Sequence, residues 1–294
     1  MKSKKTIFFL IFLFCFYGLA RGYFYLTDGF SINNITSEFA FRDNWHPPDG
    51  QEECLSYIDY IFDQPFYYLG RGAQTYAFSS SDEKYILKLI KQKHLKPNYW
   101  EKIMYKFSFF NTILENKRLR QRNRIKNILN SISISYNDLK DKTGLLYLHL
   151  NRTNHLNKFI QIVDKLGIKH HLWLDDMDFV IQKRATPALS RITSQIKNRK
   201  PDDISKALIS LIELRKTISK QGIRDNDTGF LTNMGFIENE PIIIDIGQFA
   251  KDDSIRSSEE IKKDLQRKTQ NLRAWLKKQA PEFLEVIDLE IEKT

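Results

Sequence analysis

The strongest apolar feature of the chain is an unbroken run near its N-terminus, IFFLIFLFCFYGLA over Ile7–Ala20, which follows a basic flank at residues 2–5. A basic flank, about 14 apolar residues and a small residue at Ala20 are typical of a cleaved secretory signal peptide. A membrane-spanning helix needs about 20 apolar residues, and Arg21 interrupts this run. An uncleaved anchor stays open as well, because an arginine side chain can extend its charged end to the headgroups. The sequence therefore predicts an exported or membrane-anchored protein, with residues 1–26 as signal peptide or anchor.

The hydrophobic pattern after this segment changes from strand-like to helix-like. Residues 27–52 are rich in Asn, Ser, Asp, Gly and Pro, and they predict a linker before a domain over residues 53–294. The elements of that domain are predicted, in order, as a short helix over Cys54–Phe62, β-rich runs over Pro65–Phe78 and Tyr85–Ile90, a long helical region after Pro97, a strand over Gly144–Leu150, a helix over Leu156–Leu166, strands over His171–Leu174 and Phe179–Gln182, a helix from Pro201, a hairpin over Met234–Ile246 and a helical C-terminus from near Ser257. This order predicts an α+β fold with a β-rich N-lobe over about residues 65–182 and a mainly helical C-lobe over about residues 186–294.

Composition narrows the class of protein without identifying it. The 294 residues include 46 Lys and Arg against 36 Asp and Glu, which gives a formal net charge of +10. Apolar residues make up 41% of the chain, enough for a folded core, so a disordered chain is excluded. Only 12 Gly and 8 Pro occur, which excludes a collagen-like chain. Cys15 and Cys54 are too few for a disulfide scaffold or a cysteine-rich zinc module.

The first residues suited to binding chemistry lie in the two β-rich runs. Gly70 and Gly72 are one residue apart in the segment LGRGAQTYAF, where backbone amides can approach phosphates without a Cβ in the way. Lys88 lies in the middle of the next apolar strand, YILKL, where a buried ammonium needs a partner. Taken alone, the glycines are typical of an ordinary hairpin, and the lysine is typical of an edge strand that faces water.

A second polar cluster, GIRDNDTGFLTN, ends at Asn233 and is followed by the apolar run and acidic turn IIIDIG. Asp225 and Asp227 belong to the first of these segments, and Asp245 ends the apolar run. That run is expected to be buried, so the carboxylate of Asp245 is expected to lie at the end of a buried strand. Carboxylate oxygens and an asparagine carbonyl are hard ligands, and they predict a site suited to Mg²⁺.

The order of these pieces resembles the protein-kinase-like superfamily, as an atypical or divergent member. Five segments carry the resemblance, which are Leu69–Phe78 for the Gly-rich loop, Ile86–Lys88 for the Val-Ala-Ile-Lys strand, Ile181–Ala185 for the hinge, Ile223–Asp225 for the His-Arg-Asp loop and Asp245–Gly247 for Asp-Phe-Gly. The resemblance covers about residues 66–249. It implies a two-lobed fold that transfers a phosphoryl group from ATP.

The resemblance also implies how ATP and Mg²⁺ are held. Gly70 and Gly72 cover the phosphates, and Lys88 holds the α- and β-phosphates. Asn233 and Asp245 hold Mg²⁺. Such chemistry needs positioning and neutralisation of charge more than a reactive nucleophile.

The catalytic base and the partner of the strand lysine each have two candidates. Asp225 or Asp227 is expected to orient the acceptor hydroxyl and accept its proton, with a slight preference for Asp225 because an arginine precedes it. The family usually places this aspartate five residues before the asparagine, a position that Thr228 occupies here. The helical glutamate that pairs with the lysine is either Glu101 or Glu115, of which Glu101 adjoins the apolar stripe of its predicted helix.

Other departures from the family pattern affect the substrate. Thr75 replaces the third glycine of the loop, and Ile223 replaces the histidine. No Ala-Pro-Glu motif follows Asp245, so a platform for peptide substrates is not implied, and small-molecule or lipid acceptors stay open.

The segment Lys117–Lys126, KRLRQRNRIK, predicts a strongly basic helical face. Such a face suits anionic lipid headgroups beside an N-terminal anchor, at about 1 kcal/mol for each charge. The alternative is a solvated helix face without a partner. Nucleic acid is not expected, because neither an aromatic stacking pattern nor zinc-ligand spacing accompanies the charge.

Three functional hypotheses follow from these features. The first is an atypical kinase that uses ATP and Mg²⁺ to phosphorylate an unidentified hydroxyl on a protein or small molecule. The second is a catalytically silent, kinase-like binding module that is exported or held at a membrane. The third is a membrane-anchored structural protein in which the motifs are coincidental.

Overall fold

The computed structural model describes residues 2–37, 55–92, 99–105, 107, 109 and 111–294. The α-helices of these residues are α1 (Lys2–Thr27), α2 (Ile32–Ile35), α3 (Leu55–Phe62), α4 (Tyr99–Met104), α5 (Asn111–Asn137), α6 (Lys140–Thr143), α7 (Ala188–Lys197), α8 (Pro201–Lys220), α9 (Ser258–Lys268), α10 (Gln270–Gln279) and α11 (Leu284–Glu292). The strands are β1 (Phe66–Arg71), β2 (Thr75–Ser80), β3 (Tyr85–Ile90), β4 (Leu145–His149), β5 (Phe159–Val163), β6 (Lys169–Trp173), β7 (Phe179–Lys183), β8 (Thr186–Pro187), β9 (Ile223–Asp225), β10 (Met234–Ile237), β11 (Glu240–Ile243) and β12 (Phe249–Lys251).

The described residues divide into two compact units. The first unit contains residues 2–37, 55–92 and 149–180, and the second contains residues 99–105, 107, 109, 111–148 and 181–294. The first unit has the larger share of strand residues for its size, and the second unit is mainly helical, which confirms the predicted α+β class. The predicted N-lobe also included residues 99–148, which the structure groups with the second unit. The boundaries of the functional domains stay a prediction.

The first unit is built on an extended sheet in which the strands lie in the order β3–β2–β1–β5–β6. β1 pairs antiparallel with β2 and parallel with β5, so that Phe66 lies opposite both Ser80 and Ile162. Phe66, Phe78 and Leu87 are fully buried and lie on successive strands. Burial alternates along β1, whereas all six residues of β3 are buried. Both apolar patterns are typical of strands, which is why the β-rich runs were recognisable in the sequence.

The N-terminal apolar run forms the exposed helix α1, which continues past Arg21 to Thr27. Within the described residues, the segment Ile7–Thr27 is the one helix that is long and apolar enough to cross a membrane, as judged by length and composition. No spacer follows α1, because the residues directly after it pack into the core of the first unit. Phe30 and Ile35 are buried in this unit.

The segment predicted as a linker, residues 27–52, therefore begins as part of the folded unit. The backbone amide of Gln92 donates to the carbonyl of Asn34 at 2.7 Å, and the backbone amide of Ser37 donates to the carbonyl of Asp176 at 2.9 Å. Residues 38–52, together with Cys54, lie outside the described residues.

The predicted helix over Leu156–Leu166 is wrong, because this segment contains strand β5. Its residues alternate between exposed and buried positions, with Ile160 and Ile162 facing the core. β-branched residues favour strands, and β5 gains a parallel partner in β1 and an antiparallel partner in β6. Gly167 ends a turn between two strands and not a helix.

The second unit consists mainly of helices, with two small sheets in the orders β11–β10–β8 and β12–β9. Helix α8 begins with Pro201, which suits the first helical position, and has acidic residues in its first turn that complement the helix dipole. Its predicted buried side, which includes Leu208, Leu211 and Ile218, is confirmed. The predicted hairpin over Met234–Ile246 is also confirmed, as β10 and β11. Helix α7 was not predicted.

Candidate functional site

The glycine hairpin of the first unit joins β1 to β2. Gly70 pairs with Ala77 just after an irregularity in the β1–β2 register, and the amide of Gly72 donates to the carbonyl of Thr75 at 2.9 Å. A Cβ built at Gly70 would meet nothing within 4 Å, and one at Gly72 would make only ordinary contacts. Local packing therefore does not require glycine at either position. The open space leaves the backbone free to approach a ligand, as the Gly-rich loop hypothesis requires.

Lys88 lies in the middle of β3, opposite Ala77 of β2, and 9% of its surface is exposed. All six residues of β3 are buried. The alternative interpretation of Lys88 as a lysine that faces water is therefore wrong. A buried ammonium needs an anionic or hydrogen-bonding environment, which is the requirement for a lysine that contacts phosphates.

Strand pairing in the second unit brings the Arg-Asp loop next to the Asp-x-Gly turn. β9 pairs antiparallel with β12, and Asp225 lies opposite Phe249. The amide of Asn226 donates to the carbonyl of Gln248 at 3.0 Å. Two segments that are about 20 residues apart in sequence therefore form one local structure.

Asp227 bridges these two segments with its carboxylate. Its Oδ1 accepts the amide of Gly229 at 2.8 Å, and its Oδ2 accepts the side-chain amide of Gln248 at 3.0 Å. The side chain is half-buried. The two hydrogen bonds hold the carboxylate in one orientation beside the Asp-x-Gly turn.

Asn233 adjoins Asp245 through the backbone. The carbonyl of Asn233 accepts the amides of Ile244, at 2.7 Å, and of Asp245, at 3.3 Å. The carboxylate of Asp245 is exposed, and its Oδ1 accepts the amide of Gly247 at 3.2 Å. Asn233 is buried, and its Nδ2 has no hydrogen-bond partner in the part of the chain that the structure describes.

Gly229 is a residue of this region that the sequence analysis did not single out. A Cβ at this position would lie 2.8 Å from Oδ1 of Asn233 and 2.5 Å from the hydroxyl of Thr232. Any other residue would therefore displace the buried asparagine. The sequence feature that could have identified this position is a glycine between the acidic residues and the asparagine.

Asp225 is engaged in a buried ionic network. It is 6% exposed, its Oδ2 accepts from the guanidinium of Arg215, and its Oδ1 accepts the amide of Asp227 at 2.8 Å. The ammonium of Lys268 donates to the carbonyl of Asp225 at 2.5 Å and lies 3.5 Å from its Oδ2. These contacts leave Asp225 with a role in holding α8, β9 and α9 together, which argues against the preference for Asp225 as the base.

Lys268 is fully buried on α9, and its environment disfavours the charged form. Burial, followed by repulsion from Arg215, lowers the pKa of Lys268 to about 8, although Asp225 and Asp264 oppose this shift. Arg215 is buried as well, and its Nε and Nη2 have no partner among the described residues. The network is thus held together by one carboxylate shared between two cations.

Arg224, the arginine of the predicted Arg-Asp motif, points away from this network. Its Nε donates to Asp252 at 2.5 Å, and its Nη2 donates to the hydroxyl of Ser254 at 3.2 Å. The hydrogen bond to Asp252 raises the pKa of Arg224. The arginine therefore fixes the end of the β9–β12 pair.

Ser131 of α5 is a second residue that the sequence analysis missed. Its hydroxyl donates to the carbonyl of Ile246 at 2.5 Å and accepts the amide of Phe249 at 2.6 Å. This buried serine thereby holds both sides of the Asp-x-Gly turn. The sequence feature that could have identified Ser131 is its place, as a small polar residue, on the otherwise apolar stripe of Ile125, Ile128 and Ile132.

The two glutamates proposed as partners of the strand lysine have different surroundings. Glu101 on α4 is buried and forms an ion pair with Lys117 of α5, whereas Glu115 on α5 is exposed. The pairing of either glutamate with Lys88 stays a prediction. The basic residues between Lys117 and Lys126 are exposed along α5, and their binding to a membrane also stays a prediction.

The predicted site residues are divided between the two units. Gly70, Gly72 and Lys88 lie in the first unit, and Glu101, Asp225, Asp227, Asn233 and Asp245 lie in the second. Among the described residues, no group of three or more His, Cys, Asp or Glu side chains could hold a metal ion. A metal at Asn233 and Asp245 would therefore take further ligands from water or phosphate, as is usual for Mg²⁺.

Comparisons with known proteins give only distant likenesses. No family model and no curated protein matches the chain. The bifunctional kinase-methyltransferase WbdD is similar at 12% identity and a TM-score of 0.37, over 75% of this chain and 42% of that one. The ROP18 kinase domain, solved in complex with AMP-PNP and sucrose, is similar at 11% identity and a TM-score of 0.34, over 63% of this chain and 51% of that one.

Both of these proteins contain a kinase. The chain matches about half the length of either protein, or less. Because both TM-scores are below 0.5, a function for this chain depends on its own residues and not on these two neighbours.

Proposed function

We propose that this chain is a divergent kinase-like phosphotransferase that uses ATP and Mg²⁺ to phosphorylate a hydroxyl acceptor. The observation that carries the proposal is the β9–β12 pair of the second unit, which lies beside the loop of Asp227 and the turn of Asp245. Asn233 adjoins the same turn through its backbone carbonyl. Phosphoryl transfer requires little covalent chemistry from the protein, so oxygen ligands and a positioned carboxylate on neighbouring turns are the main requirement.

The residues present fit Mg²⁺. Asp245 offers an exposed carboxylate, and Asn233 offers a buried amide whose Nδ2 has no partner among the described residues. Half a turn of that amide exchanges its nitrogen and oxygen, which presents an oxygen where the unpaired nitrogen lies. When bound there, Mg²⁺ would neutralise charge on the β- and γ-phosphates.

The remaining residues bind and orient the substrates. Lys88 holds the α- and β-phosphates, and the backbone amides around Gly70 and Gly72 approach them from the hairpin. Asp227 accepts the proton of the acceptor hydroxyl at its carboxylate, since its half-buried oxygens are held by neutral donors only. Asp225 has no such role in this proposal, because its oxygens are committed to Arg215 and to the backbone.

The alternative is a catalytically silent binding module with the same fold. One observation favours it, which is that both aspartates of the loop already accept hydrogen bonds within the protein. The basic residues in the first turn of α1 also favour a cytosolic N-terminus, which would place an anchored domain outside the cytosol, where ATP is scarce.

The test of the proposal is nucleotide binding by the full chain in detergent. We expect ATP with Mg²⁺ to raise the melting temperature of the wild type, and Asp245→Asn to abolish that rise. The control is Asp202→Asn, which removes an exposed carboxylate from the first turn of α8 and should leave the rise unchanged.

A second readout separates the two candidate functions. Release of ADP upon incubation with candidate acceptors, lost in Asp227→Asn, supports the enzyme. Stabilisation by nucleotide without any ADP release supports the binding module. If millimolar ATP with Mg²⁺ causes no stabilisation, the enzyme hypothesis is wrong, and a binding module that needs no nucleotide is favoured.

A further inference from the structure

The turn between β5 and β6 presents two large apolar side chains to solvent. Leu166 is 47% exposed and Ile168 is 51% exposed. The carboxylate of Asp164 holds the turn, because its Oδ1 accepts the amides of both residues at 2.9 Å and its Oδ2 contacts Nε2 of His170 at 2.8 Å. Gly167 adopts the positive φ of 81° that the turn requires. These hydrogen bonds hold the turn in one conformation, and we call Leu166 and Ile168 with the turn between them the apolar tip.

This tip lies beside the C-terminal end of the apolar helix α1. The ammonium of Lys165 donates to the carbonyl of Tyr25 at 3.1 Å and lies 5.5 Å from the centre of its ring. The same ammonium lies 3.1 Å from Oδ2 of Asp28. One lysine thus connects the tip to the last turn of α1 and to the residue that follows it.

The end of α1 is also fixed to the face of the sheet. Tyr68 donates to Oδ2 of Asp28 at 2.9 Å, and Tyr76 donates to the carbonyl of Gly29 at 2.7 Å. The buried ring of Phe30 packs edge-on against Tyr76, with ring centres 5.3 Å apart. Since no spacer separates α1 from these contacts, the helix and the tip keep a fixed relationship within the first unit.

The length of α1 sets the level of the tip relative to a bilayer. The 21 residues Ile7–Thr27 make a helix of about 31 Å, which matches a hydrocarbon core of about 30 Å. The exposed aromatic residues Tyr23 and Tyr25 then lie at the interface, where such rings are enriched. The tip contacts Tyr25 through Lys165, so it lies at the same level.

The geometry points to a second membrane contact, in which the β5–β6 turn rests in the headgroup layer of the bilayer that α1 spans. Leu166 and Ile168 enter the apolar boundary, and the exposed side chain of Lys169 faces lipid phosphates, while Lys165 stays bound to Tyr25 and Asp28. This surface belongs to the first unit and is separate from the basic stretch of α5. It does not depend on the proposed kinase chemistry.

A bilayer is favoured over a second copy of the chain because the apolar tip is continuous with the end of the spanning helix. Basic side chains flank the two apolar ones within the same five residues, the composition that suits an anionic surface. A self-complementary protein interface would set the two lysines of each copy near those of the other.

The test is a fluorescent label at the tip of the full chain. Leu166→Cys is made in a background with Cys15→Ala and Cys54→Ala, labelled with nitrobenzoxadiazole and reconstituted in nanodiscs of phosphatidylcholine and phosphatidylserine in equal parts. We expect a blue shift of the emission and its loss when the lipids carry a nitroxide near the headgroup. The matched control is Lys84→Cys, an exposed position in the β2–β3 turn at the opposite end of the sheet, where neither change is expected.

Three outcomes would overturn the inference. The first is a label at position 166 that stays as exposed to water as the label at position 84. The second is a blue shift that nitroxide lipids do not quench and that disappears with one copy per disc, since a second copy then covers the tip. The third is an intact mass showing that the membrane-extracted protein has lost residues 1–20. Nucleotide binding by the same preparation tests the proposed function separately.

Discussion

The guanidinium of Arg71, which lies between the two glycines of the hairpin, contacts Asp28 directly after helix α1. Its Nε is 3.7 Å from Oδ1 of Asp28, and its Nη1 donates to the carbonyl of that residue at 3.4 Å. The guanidinium also lies 4.9 Å from the centre of the ring of Phe24 on α1. The end of the apolar helix and the predicted phosphate-binding hairpin are therefore one packed region of the first unit.

Replacement of Asp28 is expected to destabilise this region. Burial raises the pKa of Asp28, but the hydrogen bond from Tyr68 and the ammonium of Lys165 outweigh it, and the pKa lies below its ordinary value of 3.8. Asp28→Asn should lower the free energy of unfolding by about 1–2 kcal/mol at pH 7, because it removes hydrogen bonds to a charged group. Chemical denaturation of the full chain in detergent measures this loss.

The pH dependence of that loss follows from the direction of the pKa shift. A carboxylate with a depressed pKa in the folded state stabilises the protein above pH 3.8, and the stabilisation disappears as the pH falls through the folded-state pKa. The difference between wild type and Asp28→Asn should therefore shrink below about pH 4. Asp141→Asn, an exposed carboxylate of the second unit, is the control, and an equal effect there would contradict the assignment.

Replacement of Asp225 by asparagine is expected to lower stability, whereas replacement of Asp227 by asparagine is expected to abolish ADP release. Asp225→Asn should cost about 3–5 kcal/mol of stability, because it leaves Arg215 and Lys268 buried without their shared carboxylate. Asp227→Asn should change stability by less than about 1 kcal/mol, since its partners are a backbone amide and an exposed glutamine. ADP release should nevertheless be lost in Asp227→Asn.

Denaturation and ADP release on the same two preparations make the distinction. A stable Asp225→Asn protein without activity, beside an active Asp227→Asn protein, would reverse the assignment of the base.

Much of the fold could be predicted because the hydrophobic pattern within each element indicates which of its residues are buried. The alternation of β1, the stripe of α8 and the continuous apolar runs of β3 and α1 are local patterns that need no knowledge of distant residues. The β10–β11 hairpin follows from the same kind of local pattern. Asp227, Asn233 and Asp245 were candidates because the order of the motifs resembles the protein-kinase-like pattern.

The features that were missed depend on partners far away in the sequence. β5 is a strand because it pairs with β1, which lies about 95 residues earlier in the chain. The segment around Phe30 is folded because the ring of Phe30 packs against Tyr76 and Phe78. The contacts of Asp225 could not be predicted for the same reason, since Lys268 reaches it from 43 residues away. No local pattern indicates such contacts.

Lys268 is expected to give the protein an unusual gain of stability at alkaline pH. Its pKa is about 8 in the folded protein against 10.5 for an ordinary lysine, chiefly because it is buried. Between these values the unfolded chain binds more protons than the folded one, so the contribution of this group to stability rises from about pH 8 to about pH 10.5.

The variant Lys268→Met should lack this rise, although it also removes a hydrogen bond to Asp225 and so changes stability at every pH. The slope of unfolding free energy against pH, compared between the two proteins, isolates the ionisation. Lys277→Met, at an exposed position of α10, should keep the slope of the wild type. Identical slopes in all three proteins would mean that Lys268 keeps an ordinary pKa.

Ser131→Ala is expected to loosen the Asp-x-Gly turn without touching any residue of the candidate site. The change leaves the carbonyl of Ile246 and the amide of Phe249 buried without their shared partner, at a cost of about 1–3 kcal/mol. Because the same turn presents Asp245, stabilisation by ATP with Mg²⁺ should weaken as well. Ser133→Ala on the same helix, which is only half-buried, is the control for the loss of a hydroxyl. Hydrogen exchange at residues 245–249 is the decisive measurement, since a turn that is as protected in Ser131→Ala as in the wild type would show that α5 does not hold it.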